Sequence, residues 1–357
     1  MNRVTVSLPQ TTYAVVVGSG ILRQLPTHLK NAGVEDSVLV VSQPRIHKAI
    51  GRVLERRYPV LLIPDGERAK TLKTVAQVLD RMAELHLTRQ SAVLAFGGGV
   101  VGDIAGFAAS IYMRGVSVVQ IPTTLLAQVD SSIGGKTGVN HRAGKNLIGT
   151  FHQPRLVLAD PSLLQKLPDR EYATGLYEAL KYGVIRDATL FDDFENRLPA
   201  IRNRDRSVLE RLVLRCAGIK AEIVSADERE AGPRRILNFG HTIGHGIEAA
   251  SRYARVNHGE AVAYGMIAAC RIAQRLERLL PTEAARIENA ILSIGRLPPL
   301  GHLTVRQVLK ALQHDKKIRD GRLHFVLPRR IGEAEVSGDV SIGLVEEVVR
   351  EILNGVG

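Results

Sequence analysis

The sequence predicts an α/β N-terminal domain built on a Rossmann-like parallel sheet, followed by an all-α C-terminal domain. In the first half, short runs rich in β-branched residues alternate with helical segments, which is the pattern of a parallel sheet with helices on both faces. After Pro161 the strand signals nearly vanish and long helical patterns follow. The length of 357 residues is enough for two domains that each have a core. We therefore predict domains at residues 1–168 and 169–357.

The predicted strands of the first half are six β-rich runs, each of a length typical of a buried strand. They lie at Tyr13–Val17, Ser37–Ser42, Val60–Ile63, Ala92–Phe96, Val116–Ile121 and Leu156–Ala159. Helical period predicts helices between them at Ile21–Ala32, Pro44–Arg57 and Thr71–His86. In the second half, helices are predicted at Arg170–Ile185, Ala188–Leu198, Ile201–Ala226, His241–Tyr253, Gly259–Leu276, Glu283–Ile291 and Thr304–Gln313, with one hairpin-like stretch at Leu323–Leu327.

The net charge is +12, which raises the question of a nucleic-acid partner. The arginines are spread through helical patterns and are not interleaved with aromatic residues, so we expect no nucleic acid. Solvated helix faces, or attraction of anionic small molecules, explain the charge better. The longest apolar run, Ala261–Cys270, is too short to span a bilayer, and the N-terminus lacks the order of a signal peptide. We expect a cytoplasmic protein with no membrane partner.

A glycine-dense turn directly follows the predicted strand that ends at Phe96. Residues 97–103, GGGVVGD, lead from this strand into a helical stretch, so backbone amides and the helix dipole would point at a pyrophosphate. The spacing is not the GxGxxG fingerprint, and tight strand-to-helix packing is the alternative explanation. Thr123 and Thr124 follow the next strand and would cap a helix, contact a phosphate or ribose, or do both.

Two further segments carry charged residues on turns. Residues 65–70, DGERAK, could address a ribose and its phosphate, although a simple turn before a helix is the better explanation of this segment alone. Asp130, Lys136, Lys145 and Asn146 lie in a Gly- and Ser-rich passage without hydrophobic periodicity. Because buried lysines need partners, these residues are either solvated or in contact with anions, and the many glycines favour anion contact.

Histidines and carboxylates of the second half indicate a bound divalent ion. His241 and His245 are four residues apart on a predicted helix, so spacing alone nominates both as ligands on one face. Spacing leaves the other ligands open among Glu178, Glu248, His258 and Glu260.

Several cations of the second half are ambiguous. Lys181 shares a helix face with Glu178 because the two are three residues apart. Lys220, Arg234 and the segment 314–317, HDKK, are by themselves more typical of solvated cations.

In their order along the chain, these motifs resemble the 3-dehydroquinate synthase family over essentially the full length. The resemblance rests on PDGERAK, GGGVVGD, YMRG, IPTTLLAQVDSSIGGKTGVNH, GKN, YEALKYG, RRILNFGHTIGH, NHGEAVAYGM and the late DKK. It implies a lyase that needs NAD and one divalent metal, zinc or cobalt. Such an enzyme converts 3-deoxy-D-arabino-heptulosonate 7-phosphate into 3-dehydroquinate and phosphate, on the shikimate route to chorismate and aromatic amino acids.

The resemblance also implies roles for individual residues. Glu178, His241 and His258 match the metal ligands, while His245 matches a proton shuttle, which overrules the pairing suggested by spacing. The other catalytic residues implied are Lys136, Asp130 and Lys181. The implied NAD contacts are Asp65, Gly66, Glu67, Lys70, Gly98, Gly99, Val100, Val101, Gly102, Asp103, Thr123, Thr124, Lys136, Lys145, Leu163, Leu164, Gln165 and Lys166. The implied substrate contacts are Arg114, Asn146, Lys220, Arg234, Asn238 and Lys316.

The resemblance raises three structural questions, one about the oligomeric state and two about ligand contacts. Arg114 matches an arginine that reaches the neighbouring subunit's site, which implies a homodimer. Lys166 stands where many relatives carry a hydroxyl residue, and Lys316 and Lys317 compete for one phosphate contact.

The chemistry implied is a transient oxidation of a ring hydroxyl by NAD⁺, β-elimination of phosphate, return of the hydride and aldol ring closure. Two alternative activities are a sugar-phosphate cyclase with a different substrate and a metal-dependent polyol dehydrogenase. Lys220 and Arg234, which in the family hold a carboxylate, favour a keto acid.

Overall fold

The computed structural model describes residues 2–34, 37–251, 255–313, 318, 319 and 322–356. The chain forms two units. Unit 1 consists of Met1–Tyr172 and Arg204–Arg229, and unit 2 of Ala173–Asn203 and Glu230–Gly357. One helix from the second half of the chain therefore belongs to unit 1.

Unit 1 is built on a seven-stranded sheet. Its strands are β1 (Asn2–Ser7), β2 (Thr12–Val17), β3 (Val38–Ser42), β4 (Val60–Leu62), β5 (Ala92–Gly97), β6 (Ser117–Pro122) and β9 (Leu156–Ala159), whereas β7 (Lys136–His141) and β8 (Gly144–Phe151) form a separate antiparallel pair. The sheet order is β1-β2-β9-β6-β5-β3-β4, with β1 antiparallel to β2 and every other neighbouring pair parallel. From β3 the chain continues to β4 in one direction across the sheet, and from β5 it continues to β6 in the opposite direction. The point at which the strand order reverses, the topological switch point, therefore lies between β3 and β5.

Helices connect these strands and make up most of the second half of the chain. In chain order they are α1 (Leu25–Asn31), α2 (Pro44–Ile46), α3 (Arg52–Glu55), α4 (Leu72–Glu84), α5 (Gly99–Ile111), α6 (Asp169–Ile185), α7 (Ala188–Arg202), α8 (Arg206–Ala226), α9 (His241–Ala250), α10 (His258–Arg275), α11 (Pro281–Ile294), α12 (Val305–Gln313) and α13 (Ile342–Asn354). Unit 2 also contains two short antiparallel pairs, β10 (Ile318–Arg319) with β11 (Arg322–Leu323) and β12 (Phe325–Arg330) with β13 (Glu333–Ser337).

Side chains of the central strands alternate between the two faces of the sheet, so unit 1 has one hydrophobic core on each face. On β3 and β5, Leu39, Val41 and Val93 face the side covered by α4 and α5. Their neighbours Val40 and Leu94 face the side covered by α1 and α3. Successive side chains of a strand point to opposite faces, so the unbroken apolar runs of these strands are explained by burial on both sides. The predicted Rossmann-like sheet is confirmed.

Three sequence expectations differ from the structure. The second half is mostly helical but not all-α, because β10–β13 lie in unit 2. The predicted helix Ile201–Ala226 is interrupted, since α7 ends at Arg202 and Asp205 caps the new helix α8 with bonds from the amides of Ser207 and Val208. No strand was predicted in the Gly- and Ser-rich passage that contains Lys136 and Asn146, yet the hairpin β7–β8 forms there.

The described part of the chain contains no helix that combines the length and the apolarity required to cross a bilayer.

Candidate active site

The predicted phosphate-binding residues of unit 1 follow the carboxyl ends of its parallel strands. The turn at Gly98 and Gly99 joins β5 to α5, and Thr123 and Thr124 follow β6. A Cβ at Gly98 would lie 3.0 Å from the side chain of Thr124, and one at Gly99 would lie 3.0 Å from Ser131 Oγ. The turn therefore passes close to the loop after β6, with the N-terminus of a long helix at its end, which is the arrangement that binds phosphates.

A buried lysine joins three of the predicted contacts. Lys70 is 4% exposed, and its Nζ donates to Asp103 Oδ2 at 2.6 Å and also to Asn146 Oδ1. Burial raises the pKa of Asp103, and the Lys70 ammonium opposes that shift. Glu67 Oε1 lies 3.9 Å from the same ammonium and 4.0 Å from Lys145 Nζ. Residues from three distant segments thus form one charged group.

The hairpin β7–β8 begins at Lys136, and the close pairing of its strands explains Gly138 and Gly149. A Cβ at Gly149 would lie 2.0 Å from the carbonyl oxygen of Thr137, so only glycine allows the two strands to pair this closely. Upstream of the hairpin, Asp130 lies in one turn of π-helix, Ala127–Ser131, and pairs with Lys220 of α8. π-Turns inside helical segments occur often at functional sites.

The loop after β9 is held by its own side chains. Lys166 Nζ donates to the carbonyl oxygen of Ala49 at 3.0 Å. Gln165 exchanges hydrogen bonds with Arg204, at 2.8 Å and 2.9 Å. Leu164 is fully buried, so only its backbone can reach a ligand, whereas Leu163 packs at the edge of the core. The lysine at position 166 therefore anchors the loop to the segment after β3.

In unit 2, one carboxylate and two imidazoles converge. Glu178 on α6 is fully buried, and its Oε1 lies 3.5 Å from His241 Nε2 and 3.6 Å from His258 Nε2. The three ligand atoms all lie within 4.8 Å of one another. Lys181 Nζ is 2.5 Å from Glu178 Oε2. Two histidines and one carboxylate are a usual donor set for catalytic zinc and suit cobalt as well, so the residues present fit a divalent metal.

The second nitrogen of each imidazole is also held in place. His241 Nδ1 lies 3.0 Å from the carbonyl oxygen of Phe239, and His258 Nδ1 lies 3.3 Å from Glu248 Oε2. Metal-binding histidines usually donate their other N–H to such an acceptor, which turns the free nitrogen toward the metal. Burial lowers the pKa of His258, but its bonds to Glu178 and Glu248 outweigh burial and raise the pKa to about 10.

The structure also brings together His245, Glu248 and His258. In this second group, Glu248 already contacts His258 Nδ1 at 3.3 Å, and the fully buried carboxylate of Glu178 is left out. Glu260, the other candidate left open by spacing, forms a capping box with Asn257 at the start of α10. A cap accounts for Glu260 without a metal. The group Glu178, His241 and His258 is therefore the stronger candidate for a metal site.

Close helix packing sets the positions of the two histidines of this candidate group. His241 is the first residue of α9 and His258 is the first residue of α10. Gly240 has φ +77°, and a Cβ at Gly265 would lie 1.8 Å from the Gly240 carbonyl oxygen. Helix α10 can approach α9 this closely only because position 265 has no side chain.

Two further predicted residues of unit 2 lie in the turn before α9, and a third lies on α9. Arg234 is 1% exposed and Asn238 donates to Glu230, both within the 3₁₀ turn Pro233–Asn238. His245 is half-buried, with its ring centroid 5.4 Å from that of His241. Lys316 and Lys317 lie outside the described residues.

Arg114 lies in a strained turn of unit 1. Met113 and Arg114 have φ of +48° and +67°, which is uncommon for residues with side chains. Both side chains are exposed. Strain of this kind persists where the surrounding structure imposes it, often at functional sites.

Sequence reasoning missed Asn140, whose side chain bonds to Glu67 and to the amide of Asn146. The only signal was its place in the GVNH run, which no spacing rule covers.

We expect Glu248→Gln to weaken zinc affinity by about ten- to a hundredfold, because a neutral amide holds the His258 ring less firmly than a carboxylate does. Chelator competition with zinc would measure this. Complete loss of zinc would instead make Glu248 a ligand, and unchanged affinity would remove it from the site.

Fold and site together define a class of enzyme, in which an α/β unit of the dinucleotide-binding type is joined to a helical unit with a three-ligand metal group. Residues 60–174 match the N-terminal domain of 3-dehydroquinate synthase, and residues 175–318 match its C-terminal domain. The chain belongs to the 3-dehydroquinate synthase family, a family of lyases.

Three relatives illustrate the match. A 3-dehydroquinate synthase from Koribacter versatilis (strain Ellin345) is 46% identical, with 99% of this chain and 98% of that protein covered. The 2-epi-5-epi-valiolone synthase from Streptomyces hygroscopicus subsp. jinggangensis 5008, solved with NAD⁺ and Zn²⁺, is 32% identical with a TM-score of 0.87 and 98% of each chain covered. A 2-deoxy-scyllo-inosose synthase complexed with carbaglucose-6-phosphate, NAD⁺ and Co²⁺ is 27% identical with a TM-score of 0.87, covering 98% of this chain and 99% of that one.

Proposed function

We propose that this chain converts 3-deoxy-D-arabino-heptulosonate 7-phosphate into 3-dehydroquinate and phosphate, as a 3-dehydroquinate synthase of the cytoplasm. The observation that carries the proposal is the convergence of Glu178, His241 and His258, with Lys181 beside them, in a chain of this family. The glycine turn after β5 and the charged group around Lys70 support NAD as the cofactor, and two similar enzymes were solved with NAD⁺ and a divalent metal.

When bound, NAD⁺ would accept and return a hydride, and zinc or cobalt held by Glu178, His241 and His258 would act as a Lewis acid. The other residues prepare the substrate. Arg234 of unit 2 is buried, and its planar guanidinium suits the carboxylate of a keto acid. Lys220 of unit 1 carries the positive charge that the resemblance also assigns to the acid group. Lys136, exposed at the start of β7, would hold anionic oxygens of the substrate, as would Asn146 through its amide.

A smaller set of groups would transfer protons or balance buried charges. His245 is half-buried on the same helix as His241, and a neutral imidazole can both take and give a proton. Lys181 balances the charge of the buried Glu178 carboxylate, and Asp130 is paired with Lys220. Fixing the substrate in one conformer would favour ring closure over side reactions.

Release of inorganic phosphate from the heptulosonate phosphate tests the function. We expect release only with NAD⁺ and a divalent metal present, and a block by chelator that added zinc or cobalt reverses. An intact substrate under these conditions would refute the proposal. Net NADH formation on a simple alcohol would favour a polyol dehydrogenase.

A cyclase for a neutral sugar phosphate is the second candidate, because one similar structure holds carbaglucose-6-phosphate. The buried Arg234 favours a substrate with a carboxylate instead. Turnover of the heptulosonate phosphate and not of glucose 6-phosphate would decide between them.

We expect His245→Ala to keep a full equivalent of zinc but to slow turnover by about 10²- to 10⁴-fold, the usual contribution of a general acid or base. Metal analysis and phosphate release measure the two effects. An unchanged rate would exclude the proton role, and loss of zinc would make His245 a ligand.

A homodimer is supported by exposed apolar side chains on two segments of unit 1. Ile111 and Met113, beside Arg114 in the chain, are 44% and 46% exposed, and Leu147 and Phe151 on β8 are 40% and 43% exposed. The hydroxyl groups of Thr150 and Ser110 are bonded at 2.8 Å, so β8 lies beside the end of α5. A C2 dimer would bury such side chains and carry Arg114 to the partner's site.

Mixing Arg114→Ala with His245→Ala should restore activity to roughly a quarter of the wild-type level, since half of randomly formed dimers are hybrids and each hybrid has one complete site. The control mixture of His245→Ala with Lys181→Ala should remain inactive, because both changes damage the subunit's own site. An inactive first mixture would count against sharing.

A further inference from the structure

Asn140 on β7 joins two segments that are distant in sequence. Its Nδ2 donates to Glu67 Oε1 at 2.8 Å, and its Oδ1 accepts from the backbone amide of Asn146 at 2.9 Å. Its own backbone amide donates to the carbonyl oxygen of Lys70 at 2.9 Å. One residue therefore ties the turn after β4 to the beginning of strand β8.

Both partners of Asn140 need such support. Asn146 has φ +53°, a left-handed conformation that a residue with a side chain adopts only at a cost. Its Oδ1 accepts from Lys70, which also donates to Asp103. Without the hydrogen bond from Asn140, the Glu67 carboxylate would move toward Lys70 or Lys145. The Nζ atoms of these lysines lie 3.9 Å and 4.0 Å from Glu67 Oε1. A shift of either partner would disturb the whole charged group.

An amide is the side chain that meets both demands. The ionised Glu67 carboxylate only accepts hydrogen bonds, and the Asn146 amide only donates. Asparagine offers a donor to the first and an acceptor to the second. Aspartate would still accept from Asn146 but would place a second negative charge against Glu67.

We propose that Asn140 is a positioning residue that holds Glu67 of the dinucleotide site and Asn146 of the substrate site in one fixed arrangement. The ligand names rest on the proposed function, but the hydrogen-bond arrangement does not. Asn140 acts through its two partners, so its replacement changes binding more than the chemical steps.

A double-mutant cycle that exchanges the amide and the carboxylate between positions 140 and 67 tests this proposal. In Asn140→Asp, we expect NAD⁺ binding to weaken and the KM for the heptulosonate phosphate to rise, each by about tenfold, with kcat changed less. In the Glu67→Gln background the same change should cost less than about threefold, because the new amide can donate to the new carboxylate. Calorimetry with NAD⁺ alone measures the first constant without turnover.

Asn31→Asp is the matched control, because Asn31 is exposed at the end of α1 and the charge change is the same. We expect it to alter neither constant. An equal penalty for Asn140→Asp in both backgrounds would overturn the proposal, as would no penalty at all.

Hydrogen exchange of residues 144–146 gives a readout that needs no ligand. Asn140→Leu removes the acceptor of the Asn146 amide and should speed its exchange at least tenfold, while Asn140→Asp should not. Equal exchange in the two variants would overturn the proposal even if the enzyme proved to have another substrate.

Discussion

Replacing His241 by alanine is expected to remove bound zinc and to lower phosphate release by about 10³-fold, because a Lewis acid contributes several kcal/mol to such a reaction. His241 supplies one of three ligand atoms that lie within 4.8 Å of one another, and its ring is oriented by the Phe239 carbonyl. Two remaining ligands would bind the ion weakly. Metal analysis after dialysis and the phosphate assay would measure both effects.

His302→Ala serves as the control, because His302 is an exposed histidine of unit 2 outside the metal group. It should keep both the metal and the rate. A full equivalent of zinc in His241→Ala would contradict the assignment of the ligands.

Gly265→Ala should destabilise the protein by about 3 kcal/mol, because the new methyl group would lie 1.8 Å from the Gly240 carbonyl oxygen. The helices α9 and α10 would have to separate, and each begins with a histidine of the candidate metal group. We therefore expect zinc affinity to fall together with the midpoint of chemical unfolding.

Gly343→Ala is the matched control in the same unit, since an added Cβ there meets nothing within 4 Å. Its stability should change by less than about 0.5 kcal/mol. If Gly265→Ala unfolded at the same denaturant concentration as this control, the close packing of α9 on α10 would not set the ligand positions.

Much of the parallel sheet could be predicted because its strands are buried on both faces and therefore read as apolar runs. The strand Leu156–Ala159 was predicted to the residue. The hairpin β7–β8 was not predicted, because glycines such as Gly138 and Gly149 remove the period-two pattern while serving the close approach of the strands. A glycine in a sequence does not reveal whether it serves a ligand or a neighbouring backbone.

The metal group illustrates a different limit. Spacing pointed to histidines and carboxylates of the second half, and it favoured the pair His241 and His245. The geometry turns both His241 and His258 toward Glu178, which is distant in sequence. Glu260 was an equal candidate until the capping box explained it. Ligand choice depends on which nitrogen is already held, and spacing carries no such information.

The passage of the chain into unit 2 and back before α8 limits how the protein can be divided. A fragment that ends at residue 168 would lack α8, which packs against β1 and carries the Lys220 partner of Asp130. The complementary fragment would carry α8 with its buried residues Leu209, Leu212 and Val213 exposed to water. Separate expression of the two halves should therefore give insoluble products, whereas co-expression would let the helix return to its sheet.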